Sequence, residues 1–282
     1  MSLTGKARLA GVIGWPVGHS RSPRLHGFWL ERYAIDGAYL PLPVDPEDFE
    51  IAVKGLAAAG FRGVNVTVPH KEAALRICDK VDPFAAKVGA VNTLVFGDDG
   101  ISGSNTDAFG FLENLRNSAA GYRPDAGPVL VVGAGGAGRG IVAALLNDGV
   151  ADVRITNRTE NRAEQVAEEL SRRFDGKIEV VSWDRRVDAL EDVTLLVNTT
   201  SQGMHGQPAL DLKLDGLPAG ALVNDIVYTP LETPLLAAAR QRGNQTVDGL
   251  GMLLHQARPG FSAWFGINPE VTEDLRATML EP

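Results

Sequence analysis

The sequence has little of several features, and each shortage excludes a class of protein. Cys78 is the only cysteine among 282 residues, so an internal disulfide framework and a zinc site made of cysteines are excluded. Basic residues number 27 against 35 acidic ones, and the net charge of −8 argues against a nucleic-acid-binding stripe. No apolar run approaches the roughly 20 residues of a membrane-spanning helix, and the first residues lack the apolar core of a signal peptide. We therefore expect a soluble, cytoplasmic protein with no nucleic-acid or membrane partner.

The overall composition, with 44% hydrophobic and 22% charged residues, is that of a globular protein. At about 100–200 residues per domain, the length fits two domains or one large domain. Apolar runs alternate with helical patterns, which predicts βαβ units and mostly parallel sheets. The predicted strands are 9–13, 39–44, 63–68, 91–96, 101–104, 129–132, 153–156, 178–181, 194–198 and 221–226. The predicted helices are 23–33, 48–59, 73–78, 107–115, 138–147 and 160–174, with two more from Leu250 and Glu270.

Turn and linker signals divide these elements into two series. The run Gly97-Asp98-Asp99-Gly100 between two strands predicts a hairpin, and the stretch 121–128, rich in glycine and proline, predicts a junction. No strand follows the last two helices, so we expect them to pack on the first domain. Cys78 lies in a predicted amphipathic helix, which favours packing over a reactive thiol. The expected architecture is two α/β domains separated by a cleft.

The strongest single motif is a glycine-rich turn, Gly133-Ala134-Gly135-Gly136-Ala137-Gly138. It follows an apolar strand and opens a helix, which is the context that a dinucleotide-binding site requires. Glycines permit the tight turn and the close approach of backbone to a pyrophosphate, and the helix N-terminus adds partial positive charge. The motif therefore predicts a Rossmann-type nucleotide site.

The end of the next strand predicts which dinucleotide is bound. Enzymes that use NAD place an Asp or Glu there, on the ribose, but this strand runs into Asn157-Arg158-Thr159, with Arg162 one turn further. An arginine can bind a 2′-phosphate that a carboxylate would repel, so NADP is favoured over NAD. The alternative, a solvated surface arginine, is unattractive for Arg158 because cations are disfavoured at a helix N-terminus. It stays open for Arg162.

Several polar segments lie where strands end and helices begin. Ser22 and Pro23 fit a helix N-cap and a first helical position, while Ser20 and Ser22 beside a helix N-terminus would equally suit a small carboxylate. Lys71 opposes the dipole of the helix that it starts, although an exposed lysine is the usual alternative. Asp107 taken alone would be a helix cap. Polar side chains at the strand ends of an α/β sheet are where ligands usually bind.

Together these segments resemble the shikimate dehydrogenase family over nearly the whole chain. The motifs that carry the resemblance occur in the family's order. They are Ser20-Arg-Ser22-Pro23, Asn65-Val-Thr67-Val-Pro69-His-Lys71, Gly89-Ala-Val-Asn92-Thr93, Asn105-Thr106-Asp107, Gly133-Ala-Gly135-Gly136-Ala137, Asn157-Arg158-Thr159, Asn198-Thr-Thr-Ser201-Gln-Gly203-Met204, Asp225-Ile-Val-Tyr228 and Gly249-Leu-Gly251-Met252 through Gln256. His70 stands where the family often has an aromatic residue.

The resemblance implies reversible hydride transfer between NADPH and 3-dehydroshikimate, giving shikimate in the pathway to aromatic amino acids. It implies Lys71 and Asp107 as the catalytic residues. The implied substrate-binding residues are Ser20 and Ser22 at the carboxylate with Tyr228 nearby, and Thr67, Asn92 and Gln256 at the ring hydroxyls. The implied NADP(H)-binding residues are Gly133, Ala134, Gly135, Gly136, Ala137, Asn157, Arg158, Thr159, Arg162, Thr199, Ser201, Met204, Ile226, Gly249 and Met252. No metal is implied.

The implied domains are a substrate-binding catalytic domain over 1–106, a Rossmann NADP-binding domain over 107–248, and C-terminal helices over 249–282 that return to the first domain. A lysine is a cation at neutral pH, so Lys71 suits a general acid, and Asp107 would stabilise its charge. Shikimate oxidation needs the neutral amine, and its rate should rise with pH. The protein is expected to be a monomer or a homodimer.

Three alternatives compete with this interpretation. A quinate/shikimate dehydrogenase that prefers NAD is the nearest, and the two serines and the Asn-Arg-Thr segment argue against it. A non-catalytic ligand sensor on the same fold is the second, and the presence of both Lys71 and Asp107 argues against it. A methylene-tetrahydrofolate dehydrogenase shares the two-domain plan but does not explain the Ser-x-Ser-Pro and Asn-Thr-Asp elements together.

Overall fold

A computed structural model describes residues 3–281 and contains alternating strands and helices. The strands are β1 (Arg8–Gly14), β2 (Gly37–Pro43), β3 (Gly63–Val66), β4 (Lys80–Val81), β5 (Thr93–Gly97), β6 (Gly100–Ser104), β7 (Val129–Val132), β8 (Asp152–Thr156), β9 (Lys177–Val181), β10 (Leu195–Asn198), β11 (Leu222–Asp225) and β12 (Thr246–Val247). The helices are α1 (Ser22–Arg32), α2 (Phe49–Ala58), α3 (Lys71–Ile77), α4 (Pro83–Val88), α5 (Asp107–Ser118), α6 (Gly136–Asn147), α7 (Glu160–Ser171), α8 (Pro234–Gln241), α9 (Leu250–Phe265) and α10 (Glu273–Leu280). Every predicted element is present, with small shifts of its ends.

The chain folds into two compact units. The first contains the residues up to Thr106 together with those from Leu254 onward, and the second is Asp107–Leu253. The stretch 121–128 is therefore not the junction that its composition predicted, because it joins α5 to β7 inside the second unit. Within residues 3–281, no helix has the length and apolar character needed to cross a membrane.

The sheet of the first unit has six strands in the order β2-β1-β3-β5-β6-β4. The predicted hairpin is confirmed: β5 and β6 pair antiparallel, with Gly97 opposite Gly100. Because β5 also pairs antiparallel with β3, this sheet is mixed, although β1 pairs parallel with both β2 and β3. On one side of the sheet lies a core of buried residues that includes Phe49 and Val53 from α2 and Leu94 from β5.

The C-terminal segment packs on the first unit, as the missing strand after it predicted. The indole Nε1 of Trp264 on α9 donates to the Leu94 carbonyl at 3.0 Å, and the indole of Trp29 on α1 donates to the Glu270 carbonyl at 3.0 Å. Trp29 and Trp264 are among the largest fully buried side chains. Arg8 at the start of β1 donates to the carbonyl of Phe265. Burial of these indoles makes the C-terminal helices an integral part of the first unit's core.

The sheet of the second unit is wholly parallel and runs β12-β11-β10-β7-β8-β9. Numbered from β7, this is the strand order 3-2-1-4-5-6 of the Rossmann fold read from the other edge. The four central strands β7, β8, β10 and β11 supply the apolar interior; Leu130, Val131, Leu196 and Val223, for example, have no exposed surface. The chain reverses its direction of winding between β7 and β10, which is where such sheets bind ligands.

Candidate functional site

The glycine-rich turn lies at the carboxyl end of β7, at the point where the strand order reverses. Gly133 has a φ of +110° and its N–H donates to the Thr156 carbonyl of β8 at 2.8 Å. The helix α6 begins at Gly136, two residues earlier than predicted, with Gly135 as its N-cap. The exposed Gly135, Gly136 and Ala137 thus surround a helix N-terminus, which is a site suited to an anionic phosphate.

Close packing explains the glycine at position 138. A Cβ there would lie 2.2 Å from the Gly133 carbonyl oxygen and 2.9 Å from Oγ1 of Thr199. The Thr199 hydroxyl itself donates to the carbonyls of Val132 at 2.9 Å and Gly133 at 3.2 Å, so it joins the end of β10 to the turn after β7. The turn is therefore held from two sides, with no room for a larger residue at position 138.

The segment after β8 is tied to the same turn. Asn157 accepts a hydrogen bond from the Ala134 N–H through Oδ1 at 3.2 Å, and its Nδ2 donates to the Thr159 carbonyl at 2.8 Å. Arg158 and Arg162 are both exposed. Asn157 therefore ties this segment to the glycine-rich turn, while the side chains of Arg158 and Arg162 are exposed to solvent after the end of β8.

The remaining residues predicted for the cofactor follow the neighbouring strands. Thr199, Ser201 and Met204 come after β10, and Ile226 comes directly after β11. Gly249 lies against Ile226, because a Cβ on Gly249 would be 2.2 Å from the Ile226 carbonyl oxygen. Met252 lies in the first turn of α9 and is half-buried. Parallel strands end at one edge of a sheet, so this second unit gathers the predicted cofactor residues at that edge.

In the first unit, a buried hydrogen-bond network connects the predicted substrate residue Asn92 to β2 and β3. The Tyr39 hydroxyl donates to Oδ1 of Asn65 at 2.6 Å, and Nδ2 of Asn65 donates to the Asn92 carbonyl at 3.2 Å and to the Thr93 hydroxyl at 3.1 Å. The side-chain oxygen of Asn92 accepts from Thr93 Oγ1 at 2.9 Å and from the Thr106 N–H at 2.9 Å. These donors assign the amide orientation of Asn92.

Ser20 and Ser22 lie at the start of α1 and are partly exposed. The prediction that Ser22 is an N-cap was wrong: Ser22 is the first helical residue, and Arg21 before it makes no side-chain cap. The Ser20 hydroxyl accepts from the Ser22 N–H at 3.3 Å and so satisfies one of the open donors of the helix start. Burial raises the pKa of the Tyr39 phenol well above its usual value, and its hydrogen bond with Ser22 opposes that rise.

Lys71 is the first residue of α3, which begins two residues before the predicted range 73–78, and His70 precedes it as N-cap. The Lys71 carbonyl accepts from the Val91 N–H at 3.0 Å, next to Asn92 in the chain. His70 is buried and stacks on Phe49 with 4.8 Å between ring centroids, while its Nε2 lies 2.9 Å from the Val44 carbonyl. The His70 imidazole thus packs as an aromatic ring would, directly before the start of α3.

The other predicted residues are distributed over both units. Thr67 follows β3 and its N–H donates to the Ile13 carbonyl of β1 at 2.9 Å. Gln256 is partly exposed on α9. The predicted catalytic pair is divided between the units: Lys71 belongs to the first, while Asp107 opens α5 as the first residue of the second, and Tyr228 after β11 also belongs to the second.

Two family models match the chain, one within each unit. The model for the shikimate dehydrogenase substrate binding domain matches residues 12–94, and the model for shikimate / quinate 5-dehydrogenase matches residues 121–205. The shikimate dehydrogenase (NADP(+)) of Paramagnetospirillum magneticum is 58% identical over 279 residues, covering 99% of this chain and 100% of the relative. The chain belongs to the shikimate dehydrogenase family.

Two solved structures resemble nearly the whole chain. Shikimate 5-dehydrogenase from Listeria monocytogenes, in complex with shikimate and NAD, has a TM-score of 0.91 at 31% identity and covers 99% of both chains. Quinate dehydrogenase from Corynebacterium glutamicum, in complex with NAD, has a TM-score of 0.90 at 30% identity and covers 97% of this chain and 99% of its own. The predicted fold class, an N-terminal substrate domain and a Rossmann NADP-binding domain, is confirmed.

Several residues that hold the family's motifs in place have no role that a sequence pattern predicts. Tyr39 and Asn65 link β2 to Asn92, and Asn198, Asp225 and Thr233 form a second buried network in the other unit. The sequence signal that could have found Asn198 and Asp225 is a polar residue at the end of an otherwise apolar strand.

Cys78, the one cysteine of the sequence, follows α3 and is half-buried. Burial raises the pKa of its thiol to about 11, which makes it a poor nucleophile.

Replacing Gly138 by alanine is expected to weaken NADPH binding by roughly tenfold or more, because the methyl group would displace the turn that is predicted to approach the pyrophosphate. Fluorescence titration of NADPH measures the effect. Gly140→Ala is the matched control, since a Cβ on Gly140 meets nothing within 4 Å, and it should bind NADPH as the wild type does. Equal affinities in the two variants would show that the packing at Gly138 does not shape the cofactor site.

His26 gives the first unit a dependence of stability on pH. Its ring is fully buried and stacks on Tyr39 at 3.9 Å, and neither ring nitrogen has a hydrogen-bond partner within residues 3–281. Burial lowers its pKa from 6.5 to about 3. The unfolded chain therefore binds a proton first, so this contribution to stability is complete above pH 6.5 and decreases as the pH falls toward 3.

We expect the free energy of unfolding to fall by about 2 kcal/mol between about pH 7.5 and about pH 5 through this group alone. Urea unfolding at several pH values measures it. His26→Phe keeps a ring against Tyr39 and should flatten the dependence, whereas His19→Gln, at an exposed histidine, should leave it unchanged. A His26→Phe variant as pH-sensitive as the wild type would assign the acid sensitivity to other groups.

Proposed function

We propose that this chain catalyses the reversible reduction of 3-dehydroshikimate to shikimate with NADPH, a step toward chorismate and the aromatic amino acids. The observation that carries the proposal is the 58% identity over 279 residues to a shikimate dehydrogenase (NADP(+)). The motifs of both domain models lie in the corresponding units: residues 12–94 in the first and 121–205 in the second. We accordingly assign substrate binding to the first unit and NADP binding to the second.

The second unit fits a dinucleotide. A Cβ at position 138 would clash with the Gly133 carbonyl oxygen, and the exposed Gly135, Gly136 and Ala137 leave the backbone of the turn and the N-terminus of α6 accessible to a pyrophosphate. Arg158 and Arg162, exposed after β8, would bind the 2′-phosphate, and Asn157 and Thr159 would complete that end. Thr199, Ser201, Met204, Ile226, Gly249 and Met252 would surround the nicotinamide. When bound, NADPH supplies the hydride.

The first unit would hold the substrate through neutral donors and acceptors. Ser20 and Ser22 would donate hydroxyl hydrogens to the carboxylate at the start of α1, where the helix N-terminus also favours an anion. Asn92, whose side-chain oxygen already accepts from Thr93 and Thr106, would present its amide hydrogens to a ring hydroxyl. Thr67 and Gln256 would bind further hydroxyls, and Tyr228 would contribute from the second unit. Fixed donors of this kind orient a polyol ring.

Lys71 and Asp107 would carry out the proton transfer at the reacting oxygen. As the ketone is reduced, its oxygen gains negative charge, and the Lys71 ammonium would donate a proton from Nζ to it. The Asp107 carboxylate would accept a hydrogen bond from a neighbouring ring hydroxyl and stabilise the lysine cation. In the reverse direction the neutral amine of Lys71 would accept the proton of the hydroxyl being oxidised. The positive charge of lysine polarises the carbonyl in the place that a metal takes in other reductases.

The absorbance of the reduced cofactor, followed with 3-dehydroshikimate and either NADPH or NADH, tests the proposal. We expect rapid oxidation of NADPH and much slower oxidation of NADH. A preference for NADH, together with turnover of quinate, would move the chain to the quinate-dehydrogenase branch that the Corynebacterium glutamicum structure represents. Binding of both ligands without turnover would favour a ligand sensor. A cytoplasmic location and a monomeric or homodimeric state are the accompanying predictions.

A further inference from the structure

Two buried polar residues that the proposed chemistry does not use lie side by side at the ends of β10 and β11. Asn198 and Asp225 are register partners of these parallel strands, and neither has any exposed surface. Nδ2 of Asn198 donates to Oδ1 of Asp225 at 3.0 Å. A buried carboxylate is costly unless hydrogen bonds compensate it, so the remaining partners of this pair indicate what it does.

The Asp225 carboxylate fixes the chain that leaves β11. Its Oδ1 accepts from the Val227 N–H at 3.0 Å, and its Oδ2 accepts from the Thr233 hydroxyl at 2.7 Å. Thr233 in turn caps α8 by accepting from the Leu236 N–H at 3.3 Å. None of the three donors to the carboxylate is a cation. Burial raises the pKa of Asp225, and the three hydrogen bonds oppose that rise. One side chain thus holds the loop 226–233 at both ends.

The Asn198 side chain fixes the chain that leaves β10 in the same way. Its Nδ2 also donates to the Gln202 carbonyl at 3.1 Å, and its Oδ1 accepts from the N–H of Thr200 at 3.1 Å and from the Thr200 hydroxyl at 2.8 Å. The turn 199–202 is therefore folded around this amide. A backbone hydrogen bond from the His205 N–H to the Thr229 carbonyl at 2.9 Å also joins the segment just after this turn to the loop 226–233.

These two loops carry Thr199, Ser201, Ile226 and Tyr228, the residues that the proposed function places around the nicotinamide and the substrate. We propose that Asp225, through Asn198, is a positioning residue that sets the loops 199–202 and 226–228 relative to each other and so orders the nicotinamide end of the cofactor site. Neither side chain touches a ligand in this proposal. The inference rests on the proposed function, and it concerns only contacts within the second unit.

The test compares Asp225→Ala with Asp225→Asn in the full-length protein, using two probes of the cofactor site. Adenosine 2′,5′-bisphosphate contains only the half of the cofactor that Arg158 would bind, whereas NADP⁺ also contains the nicotinamide. For Asp225→Ala we expect unchanged affinity for the bisphosphate, weaker NADP⁺ binding, and a kcat lowered by about 10- to 100-fold, as for a misplaced reacting group. Asp225→Asn should restore most of the kcat, because its oxygen can still accept from Asn198 and Val227 and its amide can donate to the Thr233 hydroxyl.

Asn224→Ala is the matched control on the same strand. Asn224 is 1% exposed and its Nδ2 donates to the Val247 carbonyl of β12 at 3.0 Å, so its loss removes a buried hydrogen bond on the opposite face of β11. This variant should keep wild-type kcat and NADP⁺ affinity even where its stability falls. Hydrogen exchange of the unliganded proteins should be faster in 199–206 and 226–230 for Asp225→Ala and unchanged there for Asn224→Ala.

Equal losses of bisphosphate and NADP⁺ affinity in Asp225→Ala, or wild-type exchange and kcat, would overturn the proposal. Should Asp225→Ala fail to fold, Asn198→Ala breaks the same contact from β10, and the same outcomes apply to it. Absence of turnover in the wild type would refute the proposed function instead. The affinities for the bisphosphate and for NADP⁺ and the exchange rates are measured without substrate. They therefore test the role of Asp225 independently of the proposed function.

Discussion

Lys71→Ala is expected to lower kcat for 3-dehydroshikimate reduction by about 10²- to 10⁴-fold, with a modest change of KM, which is the loss typical of a removed general acid. The physical reason is that the oxygen being reduced gains charge only as the hydride arrives, so the contact with the ammonium is stronger in the transition state than in the bound substrate. Steady-state rates at saturating NADPH measure it.

Lys54→Ala provides the control for this lysine. Lys54 is an exposed residue of α2 paired with Glu50 at 2.6 Å, and its removal should leave both kinetic constants unchanged. A kcat unchanged by Lys71→Ala would remove this residue from proton transfer, and a pure KM effect would make it a binding residue.

Lys71 also illustrates what the sequence can predict. A cation at a helix start is unfavourable, so the position of Lys71 by itself suggests a function, and α3 does begin at that residue. The glycine-rich turn is equally predictable, because the spacing of its glycines, the strand β7 before it and the helix α6 after it are all local features. Elements with a long periodic pattern are predicted to within a few residues for the same reason.

Four short elements were not predicted, and the two strands among them are too brief to show a period. β4 and β12 have two residues each, and α4 and α8 have six and eight. For the two helices a signal does exist: Asp82 and Thr233 are N-caps followed directly by proline, and each accepts a backbone hydrogen bond in the structure. Caps, rather than periodicity, are therefore the signal by which such short helices can be found.

The hydrogen-bond networks beneath the site could not be predicted from one chain. Asn198 and Asp225 are 27 residues apart, and their contact exists only because β10 and β11 pair in one particular register. Asn65 and Asn92 meet through β3 and β5 in the same way. A sequence shows which polar residues end strands, but the strand order decides which of them become neighbours. The mistaken cap at Ser22 has a local cause instead, because the hydroxyl that accepts from the Ser22 N–H is that of Ser20, two residues earlier.

Arg158→Ala is expected to weaken NADPH binding by about 10- to 100-fold while leaving NADH kinetics nearly unaltered, since one or two charge-assisted hydrogen bonds to a phosphate contribute about 1.5–3 kcal/mol. Arg158 is exposed, whereas its neighbour Asn157 bonds to the Ala134 N–H and the Thr159 carbonyl. Removing the arginine therefore changes the charge at this end of the sheet without disturbing the turn that Asn157 holds. The ratio of kcat/KM for NADPH and NADH measures the effect.

Arg172→Ala separates a local effect of Arg158 from a general effect of charge. Arg172 directly follows α7, is exposed and pairs with Glu168. Its loss changes the net charge of the protein by the same amount, but at the end of α7 opposite to Arg158. It should leave the cofactor preference as it is in the wild type. Binding that weakens equally for NADPH and NADH in Arg158→Ala would mean that the arginine contacts a part shared by both cofactors. No carboxylate that would repel a 2′-phosphate lies between the end of β8 and Glu160. In that case Arg162, one turn further along, would be the arginine that distinguishes the 2′-phosphate.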